Sequence, residues 1–145
     1  MSILREIEIR YRFSKTNCTI TDSLLDAPDK VYDLFKFLQY EAKEQFIVVN
    51  FTNKYRVMNY EMVAKGMVNH IAIRPAEILR SAIALNAPAI ILVHNHPSGD
   101  PEPSDADINI TRKVKEVAES LAIEVLDHIV IGLDKFVSLK QIGKV

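Results

Sequence analysis

The chain has no tryptophan, only four glycines and a single cysteine in 145 residues. One cysteine, Cys18, excludes an internal disulfide framework and suits a reducing compartment, so a cytoplasmic protein is expected. Cys18 stands in a polar, turn-like stretch with no obvious base beside it, and reads as a bystander rather than a nucleophile. An excess of one charge is also missing. The net charge is -1, so no global field draws the chain to nucleic acid or to an anionic membrane. No apolar run approaches the length of a membrane span. The N-terminal stretch Met1 to Glu8 mixes charges with apolar residues and lacks a signal-peptide core. Repeats, low-complexity tracts and linkers are absent as well, which leaves one expected domain over residues 1–145.

What is present fits a soluble globular protein with one sizeable core: 48% of the residues are apolar and 26% charged. Residues 3–13 alternate, with Ile7, Ile9, Tyr11 and Phe13 opposite Glu6, Glu8, Arg10 and Arg12. That pattern predicts a half-exposed strand within an N-terminal extension over residues 1–25. Pro28 opens a helix with Val31, Leu34, Phe35 and Leu38 as its buried stripe. Phe46 to Phe51 is a strand, Thr52-Asn53-Lys54 a turn, and Tyr55 to Val63 the hairpin partner. Met67 to Ile73 suggests a further strand, with His70 structural or on the surface. Pro75 opens a second helix on Ile78, Leu79, Ala82 and Leu85. A third helix starts at Ser104 and carries Ile110, Val114, Val117, Ala118 and Leu121 on one face. Glu124 to Ile131 is a strand, Gly132 to Asp134 a turn, and Phe136 to Leu139 a short last strand. Strands mixed with three helices predict an α/β sandwich around a mixed sheet.

One stretch organises the rest. Ala89 to Val93 is an unbroken apolar run bounded by prolines, the mark of a strand buried on both faces. His94 and His96 follow it, two apart, so in extended chain both imidazoles point to one side while Asn95 points away. The next seven residues include three prolines and a glycine, which force a rigid turn. Ser104 and Asp107 then have the spacing of a capping box. Two imidazoles and a carboxylate in this order also make a three-ligand metal site with an open fourth position. The roles are compatible, because a carboxylate has two oxygens. The Asp127-His128 pair, inside an apolar strand, is costly unless satisfied. It reads either as a buttress behind the site or as a structural pair.

His94-x-His96, seven residues, Ser104, two residues, Asp107 resembles the JAMM (MPN+) metalloprotease motif. The wording of residues 94–104, His-Asn-His-Pro-Ser-Gly-Asp-Pro-Glu-Pro-Ser, and Leu-Asp-His-Ile-Val-Ile-Gly at 126–132 are similar to the RadC family of JAMM-domain proteins, over roughly Glu44 to Leu139. The resemblance implies a JAMM/MPN-like mixed sheet packed with about three helices, in a cytidine-deaminase-like layered architecture. It implies a zinc-dependent hydrolase, a metallopeptidase or isopeptidase, with His94, His96 and Asp107 on the metal. It also implies Glu44 as the base and Ser104 as a hydroxyl donor to the tetrahedral intermediate. For Glu44, which opens its strand, to meet His94, which closes the central one, those strands must run antiparallel. Ser98 and Asp100 would shape the cleft mouth, Asp100 being the weaker alternative ligand.

The chain departs from the family pattern in two places. No helix-hairpin-helix region is recognised, and Arg74-Pro75-Ala76-Glu77 stands where relatives often read His-Pro-Arg-Glu. It also looks too compact for the long insertions with which ubiquitin-specific JAMM enzymes grip substrate. Two rival readings accompany the hydrolase: a DNA-repair-associated protein acting on nucleic acid, which the charge does not favour, and a non-catalytic domain with a structural metal. No membrane partner is expected.

Overall fold

The central strand β3, Ala89–Asn95, is buried at every position. Its neighbours explain why. Strand β1 (Gln45–Phe51) pairs with it antiparallel and β4 (Glu124–Ile131) pairs with it parallel. The computed structural model describes residues 3, 4, 6, 8, 25–66 and 73–145. Within them, β2 (Val57–Lys65) and β5 (Phe136–Ser138) complete a five-stranded mixed sheet in the order β2-β1-β3-β4-β5. Parallel strands need a crossover of a dozen or more residues. Helix α3, Asp105–Ser120, supplies it between β3 and β4.

The alternation of each strand sorts side chains onto two faces. Ile47, Val49, Phe51, Ile91 and Val93 pack against Val31 and Phe35 of α1 (Pro28–Phe35) and Leu38 of the 3-10 turn Lys36–Tyr40. Phe46, Val48, Ile90 and Leu92 pack against Ile78, Leu79 and Ala82 of α2 (Pro75–Leu85) and Ile110, Val114 and Ala118 of α3. Each Val, Leu, Ile or Phe side chain so removed from water contributes roughly 1.5–3 kcal/mol. The result is a three-layer α/β/α sandwich, as the element pattern implied, and the antiparallel β1–β3 pairing required of Glu44 is present. Phe46 lies opposite His94 in that register.

Three local differences have physical causes. The hairpin turn extends through Tyr55, whose φ of 57° takes it out of the extended chain, so β2 starts two residues later than expected. On α3 the buried stripe is Asp107, Ile110, Thr111, Val114 and Ala118. Val117 lies to its side and Leu121 caps the helix end; both are exposed. Leu85 is only half-buried. The expected strands over 3–13 and 67–73, with His70, and the loop with Cys18 fall, isolated positions apart, outside the described residues. Among the described residues no helix is long and apolar enough to cross a membrane.

Candidate metal centre

The site forms where three chain ends meet: the carboxyl end of β3, the amino end of α3 and the start of β1. Such ends collect ligands in α/β folds, because side chains there leave the sheet while the backbone stays fixed. His94 is still inside β3 and its side chain is 1% exposed; that of His96, just past the strand, is 16% exposed. The turn between them and α3 is pinned to the end of β4. His96 N donates to the Ile131 carbonyl (2.9 Å) and Leu133 N to the Gly99 carbonyl (2.8 Å). Ser104 then caps α3: Asp107 N donates to Ser104 Oγ (3.1 Å), and Ser104 N donates to Asp107 Oδ2 (2.8 Å). That reciprocal box fixes the rotamer of Asp107 and aims its carboxylate at the histidines.

The ligand-type atoms converge to nearly the spacing of a coordination shell. His94 Nε2 and His96 Nε2 are 3.0 Å apart. Asp107 Oδ1 is 3.3 Å from His94 Nε2, and Asp107 Oδ2 is 3.2 Å from His96 Nε2. Ligands held at zinc–nitrogen and zinc–oxygen lengths in a tetrahedron stand about 3.3–3.6 Å apart. Glu44 Oε1 is 3.8 Å from both imidazole nitrogens, and its side chain is 20% exposed. Glu44, His94 and His96 by themselves bring ligand atoms within 4.8 Å of one another, a group able to hold a metal ion. The shorter contacts make Asp107 the better third donor, with Glu44 at the rim.

The electrostatics of the cluster favour positive charge, whether a proton or a metal ion. His96 Nδ1 lies 2.8 Å from the Asp100 carbonyl, which only a Nδ1–H can satisfy, so Nε2 is left to face the site. The hydrogen bond with Asp107 raises the His96 pKa against the opposing effect of burial. Burial pushes the Asp107 carboxyl up, but hydrogen bonds with both histidines and with the Ser104 amide outweigh it. The group is held well below the usual carboxylate range, ionised and ready as a ligand.

Glu44 is positioned by a residue that sequence reasoning treated as a spacer. Asn95 is fully buried. Its Oδ1 accepts from Gln45 N (2.7 Å) and its Nδ2 donates to the Lys43 carbonyl (3.2 Å). The Glu44 carbonyl itself accepts from Gly66 N (2.8 Å). The peptide groups on either side of Glu44 are therefore gripped from β3, and a cleft of about 400 Å³ lined by Ala42, Lys43, Glu44, Gly66 and Pro97 opens beside it. Asn95 does point away from the histidines, as the alternation required.

Asp127 and His128 do not act together. Leu126 is an extra residue opposite the Ile90–Ile91 step of β3, a bulge that resets the phase of β4. His128 consequently faces α3, with its Nε2 2.7 Å from His94 Nδ1 and its Nδ1 2.6 Å from Thr111 Oγ1. Asp127 is turned to the α1 side, where it accepts from His128 N (2.7 Å), Ser138 Oγ (2.6 Å) and Lys140 N (3.0 Å). A larger cavity of about 620 Å³ lies on that side, lined by Leu25, Ile91, Leu126, Asp127 and Ser138 among others, with no histidine in its wall. Of the two buttress candidates, His128 is at the site and Asp127 is not. Ser98 and Asp100 shape the turn: Asp100 N donates to Ser98 Oγ (3.3 Å), and Glu102 N donates to Asp100 Oδ1 (3.0 Å). Asp100 reaches His96 through its carbonyl, not its carboxylate.

A family model for the RadC-like JAB domain matches residues 25–144. The chain belongs to that family. The UPF0758 protein of Carboxydothermus hydrogenoformans is 41% identical over 114 residues, 78% of this chain and 50% of the relative. The UPF0758 protein of Geobacter sulfurreducens is 35% identical over 143 residues, 98% of this chain and 62% of the relative. An archaeal one, from Methanosarcina mazei, is 39% identical over 120 residues, covering 82% and 52%. The chain thus spans between half and two thirds of the length of these RadC-family relatives, and the family-model match includes every residue of the cluster.

Proposed function

We propose that this RadC-like JAB domain is a zinc-dependent hydrolase cleaving a peptide or isopeptide bond. The observation that carries the reading is the convergence of His94, His96 and Asp107 to within 3.0–3.3 Å of one another, close to tetrahedral ligand spacing, with Glu44 at the solvent rim 3.8 Å from both imidazoles. Zinc bound there would supply Lewis acidity toward a carbonyl oxygen and bring the pKa of water down to about 7.

The chain's own residues supply the rest. Glu44 is partly exposed on a gripped backbone and stands where it can take a proton from water and return it to a leaving amine. Ser104 caps α3 with an oxygen lone pair, which does not consume its hydroxyl proton, so the O–H remains available to a developing oxyanion. His94 and Phe46 stack with ring centroids 5.7 Å apart, and this apolar wall keeps water from the inner side of the cluster.

Elemental analysis of protein purified without added metal, alongside His96→Ala, tests the ligand set. One zinc per chain is expected, and near zero in the variant; equal content in both overturns it. Hydrolysis of fluorogenic peptides and isopeptide-linked pairs should then be lost in Glu44→Gln while its zinc content is retained. An active Glu44→Gln removes the role given to Glu44.

A further inference from the structure

We infer that Thr111 and His128 are positioning residues that set which nitrogen of His94 is able to bind metal. The inference deepens the metal-centre reading and rests on it. Four groups line up behind the site in a buried file: the Asp107 carbonyl, the Thr111 hydroxyl, the His128 imidazole and the His94 imidazole. Their successive contacts are 2.6, 2.6 and 2.7 Å. Thr111 and His128 are fully buried and His94 nearly so.

With both rings neutral, the file has one consistent arrangement of protons. A carbonyl oxygen carries none, so the proton between Thr111 and the Asp107 carbonyl is the threonine's own. The threonine oxygen then meets His128 Nδ1 with a lone pair, so His128 Nδ1 carries a proton and donates it. The two ring nitrogens of His128 meet Thr111 and His94 rather than a carboxylate, and full burial disfavours a charge on the imidazole. The ring is therefore neutral and its Nε2 is an acceptor. His94 Nδ1 must then be the donor, which leaves His94 Nε2 with an exposed lone pair. Because His96 Nδ1 is committed to the Asp100 carbonyl, His96 offers a second lone pair at Nε2, 3.0 Å from the first, once a cation displaces the proton that Nε2 shares with Asp107. A hydroxyl on a neighbouring helix thus dictates the coordinating tautomer two imidazole rings away.

Thr111→Val keeps the shape and removes the oxygen. His128 then does better with its proton on Nε2, donating to His94 Nδ1, and the proton of His94 moves to Nε2, where it blocks coordination. Zinc affinity, measured by competition with a chromophoric chelator, is expected to fall about 10–100-fold, and Thr111→Ser, which restores the hydroxyl, to recover it. Long-range proton–nitrogen NMR on the metal-stripped protein, held above the imidazole titration range, reads the tautomers directly and needs no variant. His94 and His128 should both carry Nδ1–H in the wild type, and both should switch in Thr111→Val. Wild-type rings protonated on Nε2, or a folded Thr111→Val binding zinc as tightly as wild type, overturn the inference. A wild-type protein that binds no zinc, yet shows the Nδ1–H pair, would instead refute the metal centre and leave the tautomer assignment standing.

Discussion

Replacing Gly132 by alanine puts a methyl group into the joint between β4 and the ligand-bearing turn. A Cβ there would run into the Gly99 carbonyl oxygen and stand 2.6 Å from Pro101 Cδ and 2.9 Å from Pro101 N. None of these atoms belongs to a flexible side chain, so backbone must move by about 1 Å to restore ordinary contact. Gly132 is not among the glycines with positive φ, so alanine suffers no conformational penalty and the cost is steric alone. Overpacking of this kind costs about 1–3 kcal/mol. The displaced segment includes Asp100, whose carbonyl holds His96 Nδ1 at 2.8 Å, so the same shift releases the His96 ring. Chemical denaturation of the metal-stripped protein should show the loss of stability, and chelator competition a fall in zinc affinity of about 10–100-fold. Gly143→Ala is the control: its φ is 75° with open space around it, so strain alone is expected, with zinc affinity unchanged. A Gly132→Ala protein with both stability and affinity intact would refute the idea that this close approach sets the ligand geometry.

Other predictions follow from the same contacts. Asn95→Leu removes both bonds that bracket Glu44, leaving the Lys43 carbonyl and the Gln45 N–H without their partner. Stability should drop by about 2–4 kcal/mol, and peptide hydrolysis should fall more than zinc affinity does. Asp127→Ala orphans three donors on the α1 side and is expected to cost on the order of 3 kcal/mol in denaturant unfolding, with zinc affinity unchanged. Zinc affinity should decline on acidification, beginning above the ordinary imidazole value of 6.5. The His96 pKa is raised from that value, so protons compete for Nε2 earlier, while Asp107 stays ionised throughout that window. An affinity flat from neutral pH down through the imidazole range would contradict the histidine ligands.

The features readable from sequence were those governed by local periodicity. The apolar run Ala89–Val93 announced a doubly covered strand, and the spacing of His94, His96, Ser104 and Asp107 announced a cluster and a helix cap. The antiparallel β1–β3 pairing followed from asking how Glu44 could reach His94. Asn95, Thr111 and Gly132 carried no such signal. Their roles depend on partners on other elements, such as Gln45 fifty residues from Asn95, and on a chain approach that only the folded sheet creates. Asp127 and His128 looked like a unit because they stand side by side in an otherwise apolar strand. The bulge at Leu126 decides which of them faces the imidazoles, and a single extra residue leaves no mark in composition.

Asp107 Oδ2 serves two masters at once, accepting the Ser104 amide proton at 2.8 Å and lying 3.2 Å from His96 Nε2. Occupancy of the centre and order in the opening turn of α3 are therefore mechanically linked. An ion drawing on that oxygen pins the side chain that closes the capping box, so amide protons at Ser104 and Asp107 should exchange with solvent more slowly in the loaded protein. That first turn becomes a built-in gauge, reporting from a backbone N–H whether the pocket beside it is filled.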